Sequence, residues 1–290
     1  MADLQKRLST NVAGEFYVDS TCIDCDACRQ LAPSVFASVE GLSAVTQQPA
    51  SVEETRAAQR ALVACPTGSI GSIHKGDIAN AISDFPLRLE KNVFYCGFNS
   101  PKSYGANSYF VQHENGNWLV DSPRYTHSLV EAFERLGGIR YIFLSHRDDV
   151  ADAAKFGKHF QSHRIIHEYE LSSQPEAEIV IRGTDAVPLT PHFLVIPTPG
   201  HTRGHCCLLC SSKFLFTGDH LDWDQDGARF DASPDYCWYS WRQQVQSMER
   251  LLHYSFEWVL PGHGQRVKLT VPEMQEQLQN LIERMQLGRT

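Results

Sequence analysis

The sequence predicts an α+β protein of two domains, a small one followed by a larger one. The stretch 83–91 (SDFPLRLEK) is polar, contains a proline and separates two regions of different patterning. Clustered cysteines and turn signals precede it, whereas short β-branched and aromatic runs alternate with helical patterns after it. A chain of 290 residues is long enough for two unequal domains. We therefore expect a small domain over 1–82, a linker over 83–91 and a larger domain over 92–290.

The small domain contains one clear helical pattern. It begins after Ser51, whose hydroxyl can cap the helix while Glu54 reaches back to it. The pattern runs to Cys65, and Pro66 ends it because proline cannot continue a helix.

The larger region contains six predicted strands and four predicted helices. The candidate strands are Trp118–Asp121, Tyr141–Leu144, His192–Ile196, Cys206–Leu209, Phe214–Phe216 and Trp258–Leu260. The candidate helices are His127–Leu136, Val150–Phe160, Trp241–Leu252 and Val271–Leu287.

Charge and hydropathy exclude several classes of function. The formal net charge of −8 and the pI near 5.9 disfavour nonspecific binding to nucleic acid or to anionic lipid. The longest apolar runs are five residues, too short for a transmembrane helix, and the N-terminal residues lack the apolar core of a secretory signal. We expect a cytoplasmic protein that acts on a small molecule.

Four cysteines have the spacing of an iron–sulfur site. Cys22, Cys25 and Cys28 recur every three residues, and Cys65 follows much later, directly before a proline. Three thiolates at this interval can wrap one corner of a cubane, and a distant fourth can close it. Zinc binding and a set of buried thiols are the alternatives, but zinc sites usually pair two separated C-x-x-C hooks. The spacing predicts one [4Fe–4S] cluster held by these four cysteines.

The region from about Tyr17 to Ile73 resembles single-cluster bacterial ferredoxins, including the APSVF and ACPTGSI segments. The resemblance implies an electron-transfer module. Residues 15–54 carry seven acidic side chains and one basic one, Arg29. This acidic face could dock a basic redox partner, or it could simply solvate a small domain.

Four apolar segments of the larger domain end in a side chain that can bind a metal. These side chains are His146, His201, Asp219 and His263. A glycine directly precedes each of the last three, which lets the backbone turn tightly there. Because strand ends can deliver ligands to one point, we predict a metal site of these residues.

The region from Asn92 onward resembles the metallo-β-lactamase fold superfamily, through the motifs TPGHTRGH, FTGDH and LPGHG. The resemblance implies an αββα sandwich, with His201 as the third ligand, Asp219 as the bridging carboxylate and His263 as the last histidine. It departs from the family in the H-x-H-x-D-H motif. Asp148 stands where the second histidine belongs, and an aspartate recurs at Asp152, two residues later than the motif has it.

These residues predict one or two ions of Zn, Fe or Mn, because carboxylate in place of imidazole hardens the site. One hypothesis is a hydrolase of an ester, thioester or lactone, in which Asp152 orients the attacking water or takes its proton. A second is a redox enzyme with a carboxylate-rich iron site fed by the cluster. A third is a non-enzymatic cluster-sensing or assembly factor, suggested by Ala153 at the position after Asp152, where the motif has its histidine.

The aromatic segment Tyr236–Trp241 is the remaining feature of note. It could line a substrate pocket, but we expect it to be buried under the preceding loop.

Overall fold

The computed structural model describes residues 2–74 and 78–288. The chain divides into two compact units, Met1–Ile139 and Arg140–Thr290. The first unit contains eight of the described strands and four of the described helices. Its strands are β1 (Phe16–Val18), β2 (Phe36–Val39), β3 (Leu42–Val45), β4 (Ile70–Ser72), β5 (Leu87–Glu90), β6 (Val93–Tyr95), β7 (Tyr109–Val111) and β8 (Trp118–Val120). Its helices are α1 (Ala27–Leu31), α2 (Val52–Ala64), α3 (Ala79–Ser83) and α4 (His127–Arg135).

The cysteine-rich part of the first unit is built from two small strand pairs and two helices. Strand β1 pairs antiparallel with β4, and β2 forms a hairpin with β3. Helix α2 has the predicted capping box, in which the backbone N–H of Glu54 donates to Ser51 Oγ and the carboxylate of Glu54 accepts from the backbone N–H of Ser51, both at 3.1 Å. The predicted helix is confirmed, and its buried alanines pack with Phe16 and Phe36 in one apolar cluster.

The rest of the first unit is an antiparallel meander of β5, β6, β7 and β8. Strand β5 lies within the segment 83–91 and pairs with β6. The sequence predicts a domain boundary at 83–91, whereas the compact units divide after Ile139. The boundary at 83–91 therefore stays a prediction.

The second unit contains eleven of the described strands and three of the described helices. Its strands are β9 (Tyr141–Phe143), β10 (His163–His167), β11 (Ile179–Ile181), β12 (Val187–Thr190), β13 (Phe193–Pro197), β14 (Cys206–Cys210), β15 (Phe214–Gly218), β16 (Asp222–Asp224), β17 (Arg229–Asp231), β18 (Trp258–Pro261) and β19 (Val267–Lys268). Its helices are α5 (Ala153–Phe160), α6 (Trp241–Leu251) and α7 (Val271–Gln286). Helix α5 begins three residues later than the sequence predicts.

Two sheets position the candidate site of the second unit. Strands β9, β10 and β11 are parallel neighbours. The other sheet has the order β12-β13-β14-β15-β18-β19, in which only the β15–β18 pair is parallel. Four of these strands, β9, β13, β15 and β18, lead into loops that carry His146, His201, Asp219 and His263, respectively. The strand ends therefore deliver the predicted ligands.

Helices α6 and α7 cover one face of the six-stranded sheet. Met248 of α6 and Leu278 of α7 share an apolar cluster with Leu215 and Val259 of the central strands. No helix among the described residues is long and apolar enough to cross a membrane.

Replacement of Leu278 by alanine should destabilise the second unit. Its side chain is fully buried, and truncation of a buried leucine costs about 2–5 kcal/mol because it leaves a cavity. Leu287→Ala is the matched control, since Leu287 is largely exposed and should change stability by less than about 0.5 kcal/mol. Urea unfolding followed by circular dichroism measures both, and equal midpoints for the two variants would contradict this packing.

Candidate metal centres

The four predicted cluster cysteines converge in the first unit. Cys22, Cys25, Cys28 and Cys65 line one cavity, and all four thiols are free. Asp24 and Asp26, between the first three cysteines, have φ of 55° and 65°. This left-handed backbone curls the loop so that the three cysteines line the same cavity.

Burial and hydrogen bonds make this cavity suitable for a cluster. Desolvation raises the pKa of the Cys25 thiol to about 12 and also raises that of Cys28. Such thiols lose their protons only when a cation replaces them, as in metal ligation. Cys65 Sγ accepts a hydrogen bond from the backbone N–H of Ser69 at 3.3 Å, the type of contact that tunes cluster potentials. The four residues therefore fit the predicted [4Fe–4S] group.

Residues beyond position 92 also contact the cluster cysteines. A side chain at position 105 would place its Cβ 2.6 Å from Cβ of Cys25, and Gly105 has φ +86°, so only glycine fits there. Arg124 donates from Nη2 to the carbonyl oxygens of Val63 and Cys65 at 3.2 and 3.3 Å. A cationic guanidinium therefore lies beside the fourth cysteine.

The second unit brings five of the six predicted metal ligands together. His146 Nε2 and His201 Nε2 each lie 3.6 Å from Asp219 Oδ2, and His263 Nε2 lies 3.8 Å from the same oxygen. Asp148 Oδ2 lies 3.7 Å from His146 Nε2 and 4.0 Å from His201 Nε2. Donor atoms that share one ion at about 2.0–2.2 Å lie roughly 3–4 Å apart, which matches these separations.

The pKa shifts of His146 and Asp219 favour the binding of a cation at this site. Burial lowers the pKa of His146, so its imidazole is neutral and can offer a lone pair. Burial opposes ionisation of Asp219, but the neighbouring His263, His146 and His201 hold the pKa of its carboxyl below the usual range. Imidazole nitrogens around an ionised carboxylate are a set that binds a divalent metal.

The donor atoms also lack other partners. Nε2 of His146, Nε2 of His201 and Oδ1 of Asp219 are buried and make no hydrogen bond within the described part of the chain. Buried polar atoms left without a partner are costly, and a bound ion would satisfy all three. The residues of this site therefore fit one or two of the predicted ions.

Asp149 is a functional candidate that the sequence analysis missed. It is buried, and its carboxylate forms a group with His146 and Asp219 whose ligand atoms all lie within 4.8 Å of one another. A Cβ at position 262 would lie 2.7 Å from Asp149 Oδ2 and 2.6 Å from Asp219 Oδ1, so Gly262 leaves room for both carboxylates. The signal in the sequence was an acidic residue directly after Asp148, in a loop that follows a buried strand.

Asp152 lies at the beginning of helix α5. Its Oδ1 is 3.1 Å from Nζ of Lys155, and it occupies the N-cap position. It is in neither of the two groups of ligand atoms found among the described residues. The role of Asp152 as the carboxylate that handles the proton stays a prediction.

Glu170 ties the two histidine-bearing loops to each other. Its fully buried carboxylate accepts hydrogen bonds from Nε and Nη2 of Arg147, the latter at 3.2 Å, and from the backbone N–H of Gly204 at 2.6 Å. Arg147 directly follows His146, and Gly204 lies three residues after His201. This glutamate therefore fixes the spacing of two candidate ligands.

The aromatic segment near residue 238 is exposed, so the expectation that it is buried is wrong. Tyr236 and Trp238 are about two-thirds exposed. The segment is held at the site through its backbone, because the N–H groups of Trp238 and Tyr239 donate to the carbonyl oxygen of His201 at 2.9 and 3.1 Å. These rings therefore border the candidate metal site.

Variants of Asp149 and Asp152 should show which of these two carboxylates handles the proton. We expect Asp149→Asn to lower the metal-dependent turnover by about 100-fold or more, the range for loss of a carboxylate that moves a proton. Asp152→Asn should change turnover little, because Asp152 pairs with Lys155 and belongs to neither group of ligand atoms. Steady-state rates and metal content of the two variants measure this. A larger loss of turnover in Asp152→Asn than in Asp149→Asn would assign the proton transfer to Asp152.

Comparisons with known proteins find similarity to a ferredoxin domain and to a hydrolase. Residues 18–72 match the family model for the 4Fe-4S single cluster domain of ferredoxin I. A hydroxyacylglutathione hydrolase from Citrobacter koseri is 28% identical over 157 residues, which cover 53% of this chain and 59% of that protein. The chain thus spans about three-fifths of the length of this relative.

Solved structures identify the fold of the larger region. The DIM-1 metallo-β-lactamase superposes with a TM-score of 0.50 at 18% identity, covering 67% of this chain and 95% of that one. A metallo-β-lactamase from Pontibacter korlensis superposes with a TM-score of 0.50 at 14% identity, covering 69% and 97%. The predicted α+β class is confirmed: the chain carries a single-cluster ferredoxin domain and the metallo-β-lactamase fold.

Proposed function

We propose that this protein is a metal-dependent hydrolase of an ester, thioester or lactone whose hydrolytic domain is linked to a [4Fe–4S] electron-transfer module. In the reaction, water adds to the acyl carbon, the bond from that carbon to sulfur or oxygen breaks, and the thiol or alcohol leaves with a proton. The similarity to a hydroxyacylglutathione hydrolase favours a small acyl substrate.

The convergence of His146, His201 and Asp219 on one point is the observation that supports this most directly. Nε2 of His146 and Nε2 of His201 each lie 3.6 Å from Oδ2 of Asp219, and the three residues follow the ends of three different strands. When bound, a divalent ion supplies Lewis acidity toward the carbonyl oxygen and lowers the pKa of water.

The protein's own groups would do the remaining work. Asp149 is positioned to hold or accept a proton, because its buried carboxylate lies beside that of Asp219, with ligand atoms within 4.8 Å. Glu170 holds the loops of His146 and His201 in place through Arg147 and Gly204. The rings of Trp238 and Tyr239 border the approach to the site.

A redox enzyme is the second candidate function, and the carboxylates favour it. Asp148 and Asp149 give the site more oxygen donors than the histidine-rich motif has, which suits iron or manganese. Electrons would then come from the cluster of the first unit.

We also propose that the acidic face of the cluster module docks a basic redox protein. Arg29 offsets part of its charge, because it pairs with both Asp24 and Asp26. Among the other acids of residues 15–54, Glu40 and Glu53 are exposed and remain available for docking, so association should weaken as salt increases. Nine free cysteines favour a reducing compartment, which supports a cytoplasmic location.

Metal analysis together with turnover tests the proposed function. The protein is purified anaerobically from cells supplied with iron and zinc, and its metal content and EPR spectra are recorded before and after dithionite. About four irons plus one or two zincs, with hydrolysis of a hydroxyacylglutathione, an aryl ester or a lactone, would support the hydrolase. Five or six irons with a second reducible signal and no hydrolysis would favour the redox enzyme.

A further inference from the structure

A cavity of about 560 Å³ opens beside the candidate metal site of the second unit. It is lined by Arg147, Asp148, Thr202, Arg203, Trp238 and Tyr239. Its volume is in the range of small-molecule pockets, and Asp148 joins it to the metal ligands.

The two arginines of this cavity differ in what they can offer a ligand. The guanidinium of Arg147 is already neutralised by Glu170. Arg203 is exposed and has no ion pair within the described residues. Its Cζ lies 3.8 Å from the ring centroid of Tyr169, a cation–π contact that positions the guanidinium and leaves its N–H groups available to a ligand.

Trp238 and Tyr239 form an aromatic wall of the cavity, in contrast to the cationic arginines. Trp238 is largely exposed, although its backbone is bound to the carbonyl oxygen of His201. Its ring centroid lies 6.2 Å from that of His201. An exposed aromatic ring held rigidly beside a metal ligand is suited to stack on a flat group of a bound molecule.

We propose that the substrate of this site is a carboxylate-bearing aryl ester or thioester, whose carboxylate binds the guanidinium of Arg203 and whose ring lies against Trp238. This substrate class rests on the proposed hydrolase function. A carboxylate fits better than a phosphate, because one free guanidinium matches a single negative charge and two parallel oxygens. The acyl group is then placed toward Asp148 and the metal ligands.

Two probes that differ only in the carboxylate test this assignment. They are 4-carboxyphenyl thioacetate and phenyl thioacetate, and their hydrolysis by the metal-loaded protein is followed by thiol release. We expect the wild-type protein to have a KM about tenfold lower for the carboxylated probe. Arg203→Gln should remove this difference, and Arg203→Lys should restore part of it, because lysine keeps the charge but not the planar fork.

Lys268→Gln is the matched control for loss of an exposed cation that lies over an aromatic ring. Lys268 Nζ lies 5.8 Å from the ring centroid of Trp258, at the end of β18 opposite to His263. It should leave both KM values unchanged. Equal KM values for the two probes in the wild-type protein, or a preference that survives in Arg203→Gln, would overturn the proposal.

Binding of uncleavable amides separates this proposal from the hydrolase function. Calorimetry compares 4-acetamidobenzoate with acetanilide on the same proteins. If no thioester is hydrolysed but the benzoate binds more tightly and Arg203→Gln abolishes that preference, the carboxylate site stands and the hydrolase does not. If both thioesters are hydrolysed alike and the amides bind equally, the hydrolase stands and the carboxylate site falls.

Discussion

Replacement of His201 by alanine should abolish the metal-dependent activity and lower the metal content of the second unit. His201 Nε2 lies within 4.0 Å of both Asp148 and Asp219, so its loss removes a ligand from the centre of the group. Polarisation of a carbonyl by a metal is worth several kcal/mol, and each ~1.4 kcal/mol is a factor of ten in rate. We expect turnover to fall about 1000-fold or more, measured with the best substrate of the wild-type protein.

The backbone around His201 should survive this change. Its carbonyl oxygen accepts from Trp238 and Tyr239, and alanine keeps that oxygen. His253→Ala is the control, since His253 is an exposed histidine outside the site. A folded His201→Ala protein, verified by circular dichroism, that retains wild-type turnover would refute the proposed metal site.

Replacement of Cys65 by alanine should eliminate the [4Fe–4S] cluster. Cys65 is the only one of the four cysteines outside the 22–28 loop, and it lies directly after helix α2. Three thiolates leave one iron corner of a cubane without its protein ligand. We expect iron to fall well below four atoms per chain and the dithionite-reducible EPR signal to disappear.

Cys96→Ala is the control for the loss of a buried thiol. Cys96 is fully buried in the first unit and does not line the cluster cavity. It should retain the iron content and the signal of the wild-type protein. A Cys65→Ala protein with a full complement of iron and an unchanged spectrum would exclude Cys65 as the fourth ligand.

Most of the side chains that converge at the two candidate sites could be predicted because their chemistry is local in sequence. A triplet such as Cys22, Cys25 and Cys28 has few uses, and a metal-competent residue at the end of an apolar strand is conspicuous. Capping rules likewise predicted the beginning of helix α2 at Ser51.

The missed residues depend on contacts that spacing does not encode. Glu170 acts through Arg147 and Gly204, which are distant in sequence, and no motif marks a buried carboxylate with that role. Asp149 was overlooked because a motif gives positions in a pattern, whereas the bend of the loop decides which carboxylate points inward. The exposure of Trp238 depends on hydrogen bonds of its backbone to His201, which its apolar ring does not reveal.

Glu170 has a consequence for how metal ions enter and leave the protein. Since its carboxylate joins the loops after His146 and His201 through hydrogen bonds that need no ion, loss of the metal should not let these loops drift apart. Little chain entropy then has to be lost when an ion returns. An ion therefore binds to loops that are already in position. The ion found in the cell should follow the relative supply of iron, zinc and manganese.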